Sequence, residues 1–208
     1  MGIGFKTSWI AVRDRTPAEV ADVLRLADRE EASWAVGTER AYRDGLFVGA
    51  PVDGWTLAHS RIDFDDAVGG GPINVPKWLA RLSEQLGEVQ FFSTHRVSDY
   101  YAWGRAIDGS VTRAVVWGDG SVTICEGVPT EEEHQLGIGI ASAAEANDDE
   151  NYTAVPREGT IMELAALWSV NPTAIDDADV ATNGILGKPP ESPETAKFKA
   201  SLAQLRRT

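Results

Sequence analysis

The chain has one cysteine, Cys125, and therefore no internal disulfide. A lone thiol suits a reducing compartment, so a cytoplasmic location is expected. Without a second cysteine there is no zinc–thiolate set. The three histidines, His59, His95 and His134, lie far apart and show no His-x-His, His-x-x-x-His or His-x-x-Glu spacing. No metal and no cofactor are expected from them. No apolar run approaches the roughly 18 residues of a membrane-spanning helix. The N-terminus lacks the basic and apolar regions of a signal peptide. There is no Gly-x-x-x-x-Gly-Lys-Ser/Thr phosphate loop and no strand–Gly-x-Gly-x-x-Gly–helix unit. Gly-x-Ser-x-Gly, the elbow of a serine hydrolase, is also missing. Basic residues are scarce: 19 Lys and Arg against 32 Asp and Glu, a net charge of −13. That balance argues against nucleic acid and anionic membrane as partners, and it fits a basic protein partner.

What is present is a globular chain of 208 residues, 43% hydrophobic and 25% charged, long enough to bury a core. Residues 5–12 read as a first strand. Thr16-Pro17-Ala18-Glu19 is a capping box with proline at the first helical position, opening a helix expected to end near Asp28. Leu46–Ala50 and Trp55–Ser60 read as two strands joined at Asp53-Gly54, a hairpin signal. Arg61–Asn74, rich in acids and glycine, reads as an exposed loop. Trp78, Leu79, Leu82 and Leu86 recur at helical spacing and stop at Gly87.

The strongest pattern follows. Val89, Phe91 and Ser93 alternate with Gln90, Phe92 and Thr94. Strands are expected over Tyr100–Ile107, Val111–Trp117 and Val122–Cys125, with turns at Asp108-Gly109 and Asp119-Gly120. This antiparallel meander, residues 88–125, is taken as the heart of an α+β fold with amphipathic helices mainly on one face. Thr130–Glu133 and Thr160–Glu163 read as two further capping boxes. From Asp176 onward the chain reads as loop. Residues 1–186 are taken as one domain. Residues 187–208 are taken as a proline-containing linker and a polar tail, with a terminal helix over Glu194–Arg206.

A set of residues within roughly 45–175 resembles a group of uncharacterised bacterial proteins. It comprises Gly54-Trp-Thr-Leu57, Leu79, Leu82-Ser83, Leu86-Gly-Glu-Val-Gln-Phe-Phe92, Thr94-His-Arg96, Trp103, Asp108-Gly109, Arg113-Ala114, Gly127, Thr130, Glu133 and Trp168-Ser-Val-Asn-Pro-Thr173. The resemblance implies one folding unit over that span and no activity.

The best chemical cluster is His95-Arg96 with Asp99, at a strand end. A carboxylate four residues on can orient an imidazole for acid–base work, with Arg96 as an anion clamp. The bland reading is three turn residues bonded to loop carbonyls. His59 alternates with Trp55 and Leu57, which points to a buried structural histidine, and His134 reads as solvated. The acids at Asp63, Asp65 and Asp66, at Asp148, Asp149 and Glu150, and at Asp176, Asp177 and Asp179 match no calcium loop and read as solvated. Arg96, Tyr100, Tyr101 and Trp103 form an aromatic–basic group of the kind enriched in interfaces. The leading expectation is a non-enzymatic binding protein, with an immunity-type neutraliser of a basic protein as its concrete version. A small enzyme using His95 and Asp99 is the alternative. A structural subunit of a larger assembly is the third.

Overall fold

A computed structural model describes residues 2–61, 64, 74–147 and 156–190. Its frame is one nine-stranded sheet, antiparallel at every pairing, in the order β2-β9-β3-β4-β1-β5-β6-β7-β8. The strands are β1 (Thr7–Arg13), β2 (Ala27–Ala32), β3 (Leu46–Val48), β4 (Trp55–Ser60), β5 (Glu88–His95), β6 (Tyr100–Ile107), β7 (Ser110–Gly118), β8 (Ser121–Gly127) and β9 (Gly184–Lys188). The α+β class and the meander β5–β8 are as expected. The sheet's middle strand is β1, and the meander forms one half of it.

The turns follow from local chemistry. Asp53-Gly54, Asp108-Gly109 and Asp119-Gly120 each place two consecutive residues at positive φ, between 46° and 81°. That is the primed turn whose twist matches flanking strands, and Asp-Gly tolerates it best. The helices are α1 (Pro17–Val23), α2 (Trp34–Ala41), α3 (Val75–Leu86), α4 (Glu131–Gln135), α5 (Ala143–Ala146) and α6 (Glu158–Trp168). The first two capping boxes are complete. The Thr16 amide donates to Glu19 Oε2 at 2.8 Å, and the Thr130 amide donates to Glu133 Oε2 at 2.8 Å.

Both faces of the sheet are covered, which corrects the expectation of helices mainly on one face. Trp9, Phe92, Trp103 and Trp117 pack under α2, α6 and Ile138–Ile140. Ile10, Val12, Phe91 and Val116 pack against α1, α3 and Phe64. The reason lies in the central strands: Trp9-Ile10-Ala11-Val12 and Phe91-Phe92 are apolar at successive positions, so each face needs its own cover.

Other expectations change as well. Strand β1 begins at Thr7, so Phe5 lies outside it. Helix α1 stops at Val23, because Arg25 turns left-handed (φ 54°) and the Leu26 amide donates back to the Ala21 carbonyl at 3.0 Å. Thr160 caps nothing. Helix α6 already starts at Glu158, with Arg157 as an N-cap that makes no side-chain capping bond. The stretch after Asp176 contains β9, inserted between β2 and β3, so Gly187 and Lys188 belong to the sheet rather than to a linker. The loop acids Asp63, Asp65 and Asp66, the acids Asp148, Asp149 and Glu150, and the tail with its expected helix over Glu194–Arg206 lie outside the described residues.

Candidate functional site

Strands β4, β1 and β5 are neighbours and finish within two residues of one another at the same end of the sheet. The register pairs Ser60 with Ser8, Ser8 with Ser93, and Thr7 with Thr94. The residues just beyond these ends are Arg61, Lys6 and Arg96. Strands lie about 4.8 Å apart, so the backbones of three basic residues come together at this end of the sheet, each staggered by one residue from the next. The Lys6 amide donates to Thr94 Oγ1 at 3.2 Å, which fixes the entry into β1. Helix α6 starts beside these residues with Arg157 and Glu158.

The expected acid–base pair is not assembled. His95 ends β5 and pairs across the ladder with Tyr100, its ring centroid 6.4 Å from the tyrosine ring. Its Nε2 is buried and makes no hydrogen bond. The His95 carbonyl accepts from the Ser98 amide at 3.1 Å and from Ser98 Oγ at 3.2 Å. Asp99 adopts φ 47°, and its carboxylate accepts from Trp117 Nε1 at 3.3 Å. Strand alternation explains the separation. His95 shares a face with Phe91, whereas Trp117 packs with Tyr101 on the opposite face.

Arg96 faces Glu158 instead, Nη1 to Oε2 at 3.6 Å. The arginine side chain is 61% exposed and the glutamate side chain 9%. The other oxygen, Glu158 Oε1, is buried without a hydrogen-bond partner. Two tyrosines flank the carboxylate. Burial, followed by the charges of Asp99 and Glu158, raises the Tyr101 hydroxyl above its usual range, while Arg96 and Arg157 oppose the rise. Burial pushes Tyr42 up to about 12, against hydrogen bonding and the pull of Arg61. The Tyr42 hydroxyl donates to the Phe5 carbonyl at 3.3 Å.

Of the expected binding residues, Arg96 is at the surface, Tyr100 is half-buried and Tyr101 is buried. Trp103 is withdrawn altogether: it is fully buried and its indole donates to Glu133 Oε1 at 2.7 Å. His59 is also fully buried, set between Tyr42 and Phe47, and neither ring nitrogen has a partner. Burial drives its pKa down to about 3, so the imidazole is neutral. His134 is exposed. Asp176 and Asp177 accept from the backbone amides of Ala178 (3.2 Å) and Ala35 (3.0 Å), which shape a turn. Among the described residues no helix is long and apolar enough to cross a membrane.

Residues that local sequence reading passes over are Lys6, Arg61, Arg157 and Glu158. Each is unremarkable in its own stretch. They meet only through the strand order. Among the described residues, the exposed large apolar side chains at this end are Phe5, 47% exposed, and Val97, 84% exposed at the tip of the β5–β6 turn.

No protein-family model, curated protein or solved structure matches the chain.

Proposed function

We propose that the chain is a non-enzymatic binding protein that receives a protein partner on the sheet end formed by Phe5, Lys6, Arg61, Arg96 and Val97. The observation that carries this reading is the placement of two exposed apolar side chains beside arginines on the ends of adjacent, rigidly paired strands. Arginine and aromatic side chains such as Phe5 are enriched in protein interfaces, and Val97 beside them adds apolar contact area. The turn that offers Val97 is pinned on both sides, by Asp99 on Trp117 and by Arg96 on Glu158. Little ordering entropy is then lost on docking.

The rival enzyme reading asks Asp99 to orient His95, and Asp99 is engaged with Trp117. Neutralisation of another protein by covering its working surface is the concrete form of the binding reading. The net charge of −13 favours a partner that is basic overall, whereas the sheet end itself, with Lys6, Arg61 and Arg96, favours an acidic stretch on that partner's docking surface.

Affinity capture from the native host tests the proposal, with wild-type protein and Val97→Asp as baits. The expected result is a protein retained by the wild type and lost by the variant, at equal thermal stability of the two baits. An identical set of captured proteins for both baits overturns it.

A further inference from the structure

We infer that the sheet end recognises an acidic, extended segment of a partner protein that also carries apolar side chains; this rests on the binding reading above and specifies its partner. The local charge is opposite to that of the whole molecule. Lys6, Arg61, Arg96 and Arg157 flank the ends of four different elements, β1, β4, β5 and α6, in a chain of net charge −13. Arg61, Arg96 and Arg157 are exposed. Proximity is visible in the electrostatics as well as in the register, because Arg96 and Arg157 both act on the Tyr101 hydroxyl and Arg61 acts on that of Tyr42.

The nearby carboxylates, Glu158 and Asp99, offset these four positive charges only in part. Glu158 is buried and paired with Arg96. Asp99 is bonded to Trp117. Asp44, one strand further along, acts on Lys188. Among the described residues the side chains of Arg61 and Arg157 enter no ion pair.

A segment with spaced carboxylates matches cations carried on adjacent strand ends, and its apolar side chains meet Phe5 and Val97. Nucleic acid offers the same charge sign. Its uniform polyanionic field is repelled by the other faces of an acidic protein, whereas a short acidic segment presents its charge only to the patch. The sequence also holds a rival occupant, since Asp63, Asp65 and Asp66 follow Arg61 within a few residues.

Fluorescence anisotropy tests the inference with labelled repeat peptides of Glu-Leu and Lys-Leu and with a uridine-repeat RNA. The full chain is used as wild type, Arg61→Glu/Arg157→Glu and the control Arg81→Glu. Arg81 is exposed on α3, away from the patch. The Glu-Leu peptide is expected to bind the wild type and the control alike and to weaken about tenfold or more with the double variant, with binding falling as salt rises. Equal loss in the control, or equal binding of the RNA, overturns the inference. A gain of about tenfold when Asp63, Asp65 and Asp66 are changed to Asn also overturns it, by making the chain's own loop the occupant. Binding of the Lys-Leu peptide in place of Glu-Leu overturns the acidic segment while leaving the binding reading intact. Failure of both peptides, together with no Val97-dependent capture, overturns both.

Discussion

Arg113 and Glu133 form a two-pronged ion pair inside the core: Arg113 Nε lies 2.9 and 3.0 Å from the two carboxylate oxygens, and Nη2 lies 2.8 Å from Oε1. The side chains are 1% and 0% exposed. The remaining donors are also used. Nη1 reaches the carbonyls of Glu126 and Gly127 at 3.3 and 3.1 Å, and Nη2 reaches that of Ile140 at 2.7 Å. Glu133 accepts in addition from Trp103 and from the Thr130 amide. One pair thus ties β7, β8, α4 and the Ile138–Ile140 segment together.

Removing one partner leaves a buried charge without its counter-ion. Glu133→Gln and Arg113→Met are each expected to lower stability by about 3–5 kcal/mol. Urea unfolding at neutral pH measures this. The double variant Arg113→Met/Glu133→Leu is expected to lose less than the sum of the single losses, because no unpaired charge remains. A loss below about 1 kcal/mol in both single variants would contradict the buried-pair account.

Asp99 has two requirements, a left-handed backbone (φ 47°) and an acceptor for the Trp117 indole. Asn satisfies both, so Asp99→Asn is expected to stay within about 0.5 kcal/mol of wild type. Asp99→Val fails both and is expected to cost about 1–3 kcal/mol. Thermal denaturation followed by tryptophan fluorescence checks the pair. Equal stability of the Asn and Val variants would show that the carboxylate does not hold Trp117.

The contrast between these two sites shows what can be read from the chain. Asp108-Gly109 and Asp119-Gly120 announce their turns because the backbone they need favours those residue types locally. The meander is legible for that reason. Strand β2, Ala-Asp-Arg-Glu-Glu-Ala, is not, because an edge strand with exposed side chains carries no apolar alternation. Strand β9 hides behind Gly184 and Gly187. They read as loop residues, but a side chain at either would collide with Phe47 or with Leu26. The candidate site was half visible. His95, Arg96 and Asp99 mark a strand end by their sequence, but their partners Glu158 and Trp117 lie on elements whose placement only the sheet order supplies.

Gly49 follows β3 under the indole of Trp34. A Cβ there would lie 2.5 Å from Cε3 and 2.7 Å from Cη2 of that ring, and Trp34 is itself clamped edge-on to Phe47. Gly49→Ala is therefore expected to cost about 1–3 kcal/mol, or more if the ring cannot shift. Gly159 is the opposite case. It sits in the first turn of α6 with nothing near its Cβ position. Gly159→Ala is expected to stabilise the protein by about 0.5–1 kcal/mol, by restricting the unfolded chain. Paired urea titrations give both signs, and a stabilising Gly49→Ala would refute the packing argument.

His59 makes the fold sensitive to acid. Its ring is buried with both nitrogens unbonded, against Tyr42 and Phe47 and across the ladder from Trp9. Burial alone accounts for the fall of its pKa from 6.5 to about 3. In the unfolded chain the imidazole takes up a proton near pH 6.5, whereas in the folded protein it does not until about pH 3. The unfolded state therefore binds more protons between those values, and stability drops as pH falls through that window. The full effect is on the order of 4–5 kcal/mol at the acid end. His59→Phe keeps the aromatic packing and removes the proton site. Wild type and variant are expected to show parallel stability above pH 6.5. Below it, the wild type should lose stability relative to the variant at every step. The exposed carboxylates Glu19 and Asp28, whose pKa values are lowered by hydrogen bonds, titrate identically in both proteins and cancel in the comparison. Urea midpoints measured from pH 8 to pH 4 would refute the account if the two curves ran parallel throughout.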